Sequence, residues 1–169
     1  MPPRRPYLAY GSNLHPARLR ARLGPIEVLG AAVLEGRRLS FDKLGTDASG
    51  KCTVHPDPAG TLHGALFVLT PAQRATLDGI EGVGAGYTVE RVTVDQAGAT
   101  LEAFTYVAQA THLRPGLAPF GWYRGLVEAG TVFHGFPADY LEAIRAVATV
   151  EDPDARRRRR NAALLRSWR

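Results

Sequence analysis

Apolar positions along this chain recur at two spacings, and the switches between them divide it into strands and helices. The run Tyr7-Leu8-Ala9-Tyr10 reads as a short strand that stops at Gly11-Ser12-Asn13. Pro16 then takes a favoured first-turn position, and residues 16–23 read as a short helix ended by Gly24-Pro25. Residues 26–34 are rich in Val, Leu and Ala and predict a buried strand, while Leu39 and Phe41 alternate with polar neighbours as in a half-exposed strand. Residues 45–60 are polar and predict a long loop, with Cys52-Thr53-Val54 as a strand piece inside it. A strand follows at 62–69. Thr70-Pro71-Ala72-Gln73 is a capping box with Pro at the first helical position, which predicts a helix to about Ile80 that ends at Gly82. Residues 87–95 and 100–107 read as two strands of a hairpin turning at 96–99. Residues 113–121, with Pro115, Gly116, Pro119 and Gly121, read as a loop, and 122–133 and 137–149 as helices. Asp152-Pro153 opens a last basic helix or tail. The order of elements predicts one α+β domain over residues 1–150 with a strongly curved or barrel-like sheet, followed by a basic segment at 151–169.

Composition narrows this picture. The chain has 169 residues, 45% hydrophobic and 22% charged, which suits one ordinary globular domain with a sizeable core. No apolar run reaches the length that crosses a bilayer, so no membrane partner is expected. The run at 7–10 is too short for a signal-peptide core, and a single cysteine, Cys52, excludes an internal disulfide framework. Both predict a cytoplasmic protein. The net charge of +5 equals the five arginines at 156–160, so the rest of the chain is close to neutral. The charge belongs to one segment rather than to a basic face, and nucleic acid is not the expected partner.

Several familiar chemistries are absent. There is no G-x-x-x-x-G-K-[ST], and Gly82, Gly84 and Gly86 do not fit G-x-G-x-x-G. His15, His55, His63, His112 and His134 are scattered without the spacing of metal ligands. Ser12 lacks a G-x-S-x-G surround, and Cys52 sits in the predicted loop with no paired histidine and is read as inert. Three features remain. The strand–turn–helix at Tyr10-Gly11-Ser12-Asn13 suits an anion, because backbone amides of such a turn converge and a helix dipole favours negative charge there. The same residues also serve as plain turn formers. Glu81 is the second feature. It closes a predicted helix, where the dipole disfavours a carboxylate's charge, and a carboxylate moved toward neutrality suits general acid/base chemistry. Tyr10, Tyr87, Tyr106 and Tyr123 are the third: all fall at element starts beside these loops, where a tyrosine offers an apolar wall and one hydroxyl.

Taken together, these residues resemble the γ-glutamylcyclotransferase family, which includes the AIG2-like proteins. The resemblance rests on Tyr10-Gly11-Ser12-Asn13-Leu14 after a strand and on Leu77-Asp78-x-x-Glu81-Gly82 before a strand that starts at Tyr87. Tyr106, Tyr123 and His134-Gly135-Phe136-Pro137 before Tyr140 extend it over about residues 7–147. It implies a six-stranded barrel-like fold with surrounding helices. It also implies closure of a γ-glutamyl amine or peptide to 5-oxoproline with release of the amine, without metal or cofactor. By the same resemblance Glu81 is the catalytic acid/base, and Tyr10, Gly11, Ser12, Asn13, Tyr87, Tyr106 and Tyr123 contact substrate. The leaving amine stays open, and so does a homodimer. Two other readings stand beside this one: a binding module of the same fold without catalysis, and an interaction protein that uses residues 156–160.

Overall fold

A computed structural model of the chain describes residues 5–167. Strand β1 is Tyr7–Ala9, and a 3₁₀ turn at Ser12–Leu14 leads into helix α1, Pro16–Leu23. Two long strands follow, β2 at Glu27–Leu44 and β3 at Gly50–Val68, then α2 at Pro71–Glu81. The hairpin β4–β5 spans Tyr87–Gln96 and Ala99–Ala108, and helices α3, α4 and α5 occupy Gly121–Phe133, Ala138–Arg145 and Ala155–Arg166. The sheet closes into a barrel in the order β1-β3-β2-β4-β5. Every pairing is antiparallel except the closing one, where Tyr7 of β1 lies parallel to Phe104 of β5.

The barrel has five strands, not six, and the difference lies in β2 and β3. The polar stretch expected to be a loop at 45–60 is mostly strand, and only the turn between Leu44 and Gly50 interrupts the pair. Register shifts between Val28 and Gly30, Glu35 and Arg37, and Ser40 and Lys43 divide one continuous hairpin into segments. Such bulges bend a strand without ending it, so what alternation presents as separate strands is one ribbon that turns as it goes. Residues 55–60 alternate in burial without ever being sealed, which explains why they read as loop.

The core fills the barrel and the space beneath α2 and α3. Leu8, Leu62, Leu66, Phe67, Leu77, Leu126 and Val127 are fully buried, and each contributes roughly 1.5–3 kcal/mol by leaving water. Helix α2 is fixed at both ends. The Thr70 hydroxyl accepts from the Gln73 amide while Gln73 reaches back to Thr70, and Gly82 takes a left-handed conformation with φ of 65°. The Gln73 side-chain amide also donates to the carbonyls of Leu23 and Pro25, tying the start of α2 to the end of α1.

The basic segment is helix α5, capped by Asp154, whose carboxylate accepts from the Arg157 amide. It docks on α1 and α3: Asn161 is buried and receives a hydrogen bond from Arg18. Of the five arginines, Arg156, Arg159 and Arg160 are exposed, while Arg157 and Arg158 hold Asp152. No helix among the described residues is long and apolar enough to cross a membrane.

Candidate active site

The chain leaves β1 at Ala9 and turns sharply, and this turn meets the side of β3. An added Cβ on Gly11 would lie 2.9 Å from the Cys52 Cβ, so only glycine allows the approach. The Ser12–Leu14 turn closes with the Leu14 amide on the Gly11 carbonyl at 3.0 Å. The amides of Ser12 and Asn13, at the start of that turn, donate to no acceptor among the described residues. Helix α1 does not supply the site's N-terminus as expected. It starts beyond the turn, at Pro16, and its own cap is the His15 ring, which accepts from the Ala17 amide at 3.2 Å. The anion-favouring amides thus belong to the short turn rather than to a full helix.

Glu81 comes to this turn from the far end of α2. Its Oε1 accepts from Asn13 Nδ2 at 3.0 Å and from Arg22 Nη1 at 3.2 Å, while Arg22 also donates to Asn13 Oδ1 at 3.0 Å. The three side chains form a closed triangle. Glu81 Oε2 accepts from nothing among the described residues, and the side chain keeps 16% exposure. The helix terminus that disfavours its charge is therefore opposed by a guanidinium and an amide that favour it.

One small polar pocket collects these groups. It is lined by Tyr7, Tyr10, Gly11, Ser12, Asn13 and Glu81, with Cys52, Tyr87, Tyr106 and Tyr123 completing the wall. All eight residues singled out from the sequence are present. The cavity is about 30 Å³, room for two or so waters at about 10–15 Å³ each.

The tyrosine hydroxyls are fixed by the frame. Tyr10 donates to the Tyr106 carbonyl, Tyr87 to the Cys52 carbonyl at 2.7 Å, and Tyr106 to Asp78 at 2.6 Å. Tyr123 accepts from the Cys52 amide at 2.9 Å and is also hydrogen-bonded to the Cys52 side chain. The Tyr106 ring lines the pocket, but its hydroxyl is turned to Asp78, itself paired with Arg74 at 3.2 Å. Desolvation pushes all these phenols, and Tyr7, above their ordinary range. Burial likewise pushes the Cys52 thiol up to about 12. The wall is thus neutral, and Glu81 is its one carboxylate.

Three residues of the site escaped the sequence. Cys52 falls in the strand piece expected at 52–54, but nothing in the sequence sets it against the Gly11 turn. Tyr7, whose hydroxyl accepts from Asn13 at 3.1 Å, opens β1 just as Tyr10 follows it. Arg22 follows Arg18 by four residues on α1 and so shares its face. The histidines fill structural places: His134 donates to the Leu14 carbonyl at 2.8 Å and His63 packs edge-on to Tyr140. Among the described residues no three His, Cys, Asp or Glu side chains cluster as metal ligands do.

Known proteins share this fold. No curated protein matches the sequence. Among solved structures, an uncharacterized human protein, loc79017, is 25% identical over 86% of this chain and 88% of its own, with a TM-score of 0.78. A structure described as a γ-glutamyl cyclotransferase is 22% identical over 94% of this chain and 98% of its own, with a TM-score of 0.82. YkqA of Bacillus subtilis is 22% identical over 86% of this chain and 56% of its own, with a TM-score of 0.73. The model of the "Gamma-glutamyl cyclotransferase, AIG2-like" family matches residues 7–125, from β1 through the pocket to the first turns of α3, and the chain belongs to that family.

Proposed function

We propose that the protein closes the glutamyl part of a γ-glutamyl amine or peptide into 5-oxoproline and releases the amine. The substrate's α-nitrogen forms a bond to its own γ-carbonyl carbon, the bond from that carbon to the leaving nitrogen breaks, and one proton moves from the first nitrogen to the second. Nucleophile, electrophile and leaving group are parts of one molecule, so much of the rate comes from holding a bent conformer. Glu81 carries the proton. Its Oε1 is anchored by Asn13 and Arg22, and its Oε2 is left to accept from the α-amine and give to the departing nitrogen. The Ser12 and Asn13 amides receive the oxyanion that forms on the carbonyl, or the α-carboxylate. The Tyr10, Tyr87, Tyr106 and Tyr123 rings wall the glutamyl end.

The observation that carries this reading is that Glu81 and the unpaired amides of the Gly11-Ser12-Asn13 turn line one pocket, joined through Asn13. The test is a panel of γ-glutamyl amines and dipeptides with 5-oxoproline detected by mass spectrometry, for the wild type and Glu81→Gln. Release by the wild type and its loss in a folded Glu81→Gln support the assignment. Turnover retained in Glu81→Gln removes Glu81 from the chemistry. Binding by calorimetry with no product from any compound makes the protein a binding module.

A further inference from the structure

A second cavity lies away from the active site. It is a slot of about 620 Å³ between helix α4 and the β2–β3 ribbon, a volume that suits a small organic ligand. Its floor is the stretch of β2 from Arg38 to Asp42, about 13 Å of strand. Tyr140, Ile144 and Val147 of α4 form one side, and residues 115–117 form the other. The slot and the active-site pocket share no lining residue. Phe41 stands between them, edge-on to Tyr123 with ring centroids 6.4 Å apart, so the slot is a separate site and not an extension of that pocket.

The walls of the slot are held by the fold itself. Arg124 of α3 donates to the carbonyls of Arg145 at 3.1 Å and Val147 at 2.8 Å, which fixes the end of α4. The Tyr140 hydroxyl reaches the His63 carbonyl of β3 at 3.4 Å. On the other side, the Arg114 amide donates to the Asp42 carbonyl at 2.8 Å and the Gly50 amide to the Ala118 carbonyl at 3.0 Å. Helix and loop are thus tied to the ribbon or to α3, while Leu39, Phe41, Leu117, Ile144 and Val147 line a gap between them. An apolar body of matching size gains by leaving water for such a preformed slot.

Two charged side chains line the slot, Asp42 and Arg38, and they differ in how far they are satisfied. Asp42 is occupied: the Ser40 hydroxyl donates to it, and His55 Nε2 stands 3.0 Å from both of its oxygens. Arg38 has no hydrogen bond or ion pair among the described residues. The charge left to recognise a ligand is therefore positive. We propose that the slot is a second binding site that takes a small carboxylate with an apolar body, an aryl- or alkyl-carboxylic acid, with its anionic end on Arg38 and its body against Leu39, Ile144 and Val147. A guanidinium receives a carboxylate through two parallel hydrogen bonds. Because Arg38 is exposed, that contact supplies selectivity, and the apolar body supplies most of the affinity. The site is independent of the reaction assigned to Glu81.

The test uses 4-phenylbutyrate, 4-phenylbutanamide and 4-phenylbutylamine, which share one apolar body and differ in charge. Binding to the wild-type protein is read by calorimetry and located by backbone amide shifts in NMR. The acid is expected to bind about three- to tenfold more tightly than the amide, and the amine most weakly, with shifts at residues 38–42, 115–117 and 140–147. Arg38→Met should bring acid and amide within about twofold of each other. Ala143 is exposed on α4 and lines the slot. Ala143→Trp should therefore fill the slot from outside the core and weaken all three compounds about tenfold or more, with an unchanged melting curve as the check on its fold. Glu81→Gln should leave every Kd as it is. Binding of none of the compounds at millimolar concentration overturns the proposal. A preference for the amine overturns it too, since Asp42 would then be the anchor. Shifts centred on residues 11–13 and 81 in the wild type place the ligand in the active-site pocket and overturn it with no variant needed, as does binding that Ala143→Trp leaves intact.

Discussion

Two of the arginine–carboxylate pairs, Arg157–Asp152 and Arg22–Glu81, have similar chemistry and opposite finish. Asp152, fully sealed at its side chain, receives Arg157 through both Nε and Nη2 at 2.6 Å, the Trp122 indole at 2.8 Å and the Asp154 amide at 2.8 Å. Every oxygen is used. Glu81 receives Arg22 and Asn13 on a single oxygen, and the other has no partner among the described residues. The first pair ties the connection before α5 to the body. The second is held in position while half its capacity is kept in reserve. A satisfied carboxylate stabilises a fold, whereas a half-satisfied one can exchange a proton with something that arrives.

That contrast can be broken at either end. The largest effect is expected from Glu81→Gln, which keeps the shape and removes the proton acceptor. 5-Oxoproline release falls by about 10²–10⁴-fold while the melting temperature moves little. A comparable loss of stability would mean that Glu81 belongs to the same class as Asp152. Asp152→Ala should do the reverse. Removing one partner of a buried pair costs about 3 kcal/mol, which lowers the melting temperature by roughly 6–12 °C for a chain of this size. Activity per folded molecule stays near that of the wild type.

A smaller effect separates positioning from structure. Arg22→Met leaves the aliphatic stem on α1 but frees Glu81 Oε1 of its cation, and kcat should fall about tenfold with KM little changed. A change confined to KM would make Arg22 a substrate contact. The smallest effect is in pH. The Arg157 hydrogen bonds outweigh burial and hold the Asp152 carboxyl below its usual range. Its folded-state value is therefore depressed, and its contribution to stability is present in full above the unfolded value of about 4 and is lost as pH falls below it. The stability difference between wild type and Asp152→Asn should thus be constant above about pH 5 and shrink in more acid solution, as urea unfolding at each pH would show.

The legibility of the two pairs in the sequence differs for the same physical reason. Glu81 was readable because it ends a helix whose start and stop are local signals, the capping box at Thr70 and the glycine at 82. The Gly11-Ser12-Asn13 turn was readable because close approach demands small residues in a row. Arg22 and Asp152 were not. Arginine in the last turn of a helix is ordinary, and an aspartate before a proline looks like a helix start. Only tertiary contact reveals what they face. The long ribbon β2–β3 was missed in part because its bulges reset the alternation on which strand reading depends. The segment at 156–160 read as one block of charge, but helical spacing turns Arg157 and Arg158 toward Asp152 and leaves Arg156, Arg159 and Arg160 in solvent.

The two locked ends of α2 have a consequence for how the gene can change length. Eleven residues separate the Thr70 cap from Gly82, and Glu81 is the last of them. Adding or deleting one codon within that interval turns the final side chain by about 100° and shifts it by about 1.5 Å, away from Asn13 and Arg22. Insertions at the hairpin tip near Gly98 meet no such constraint, so viable indels are expected to collect there and to be purged between positions 70 and 82.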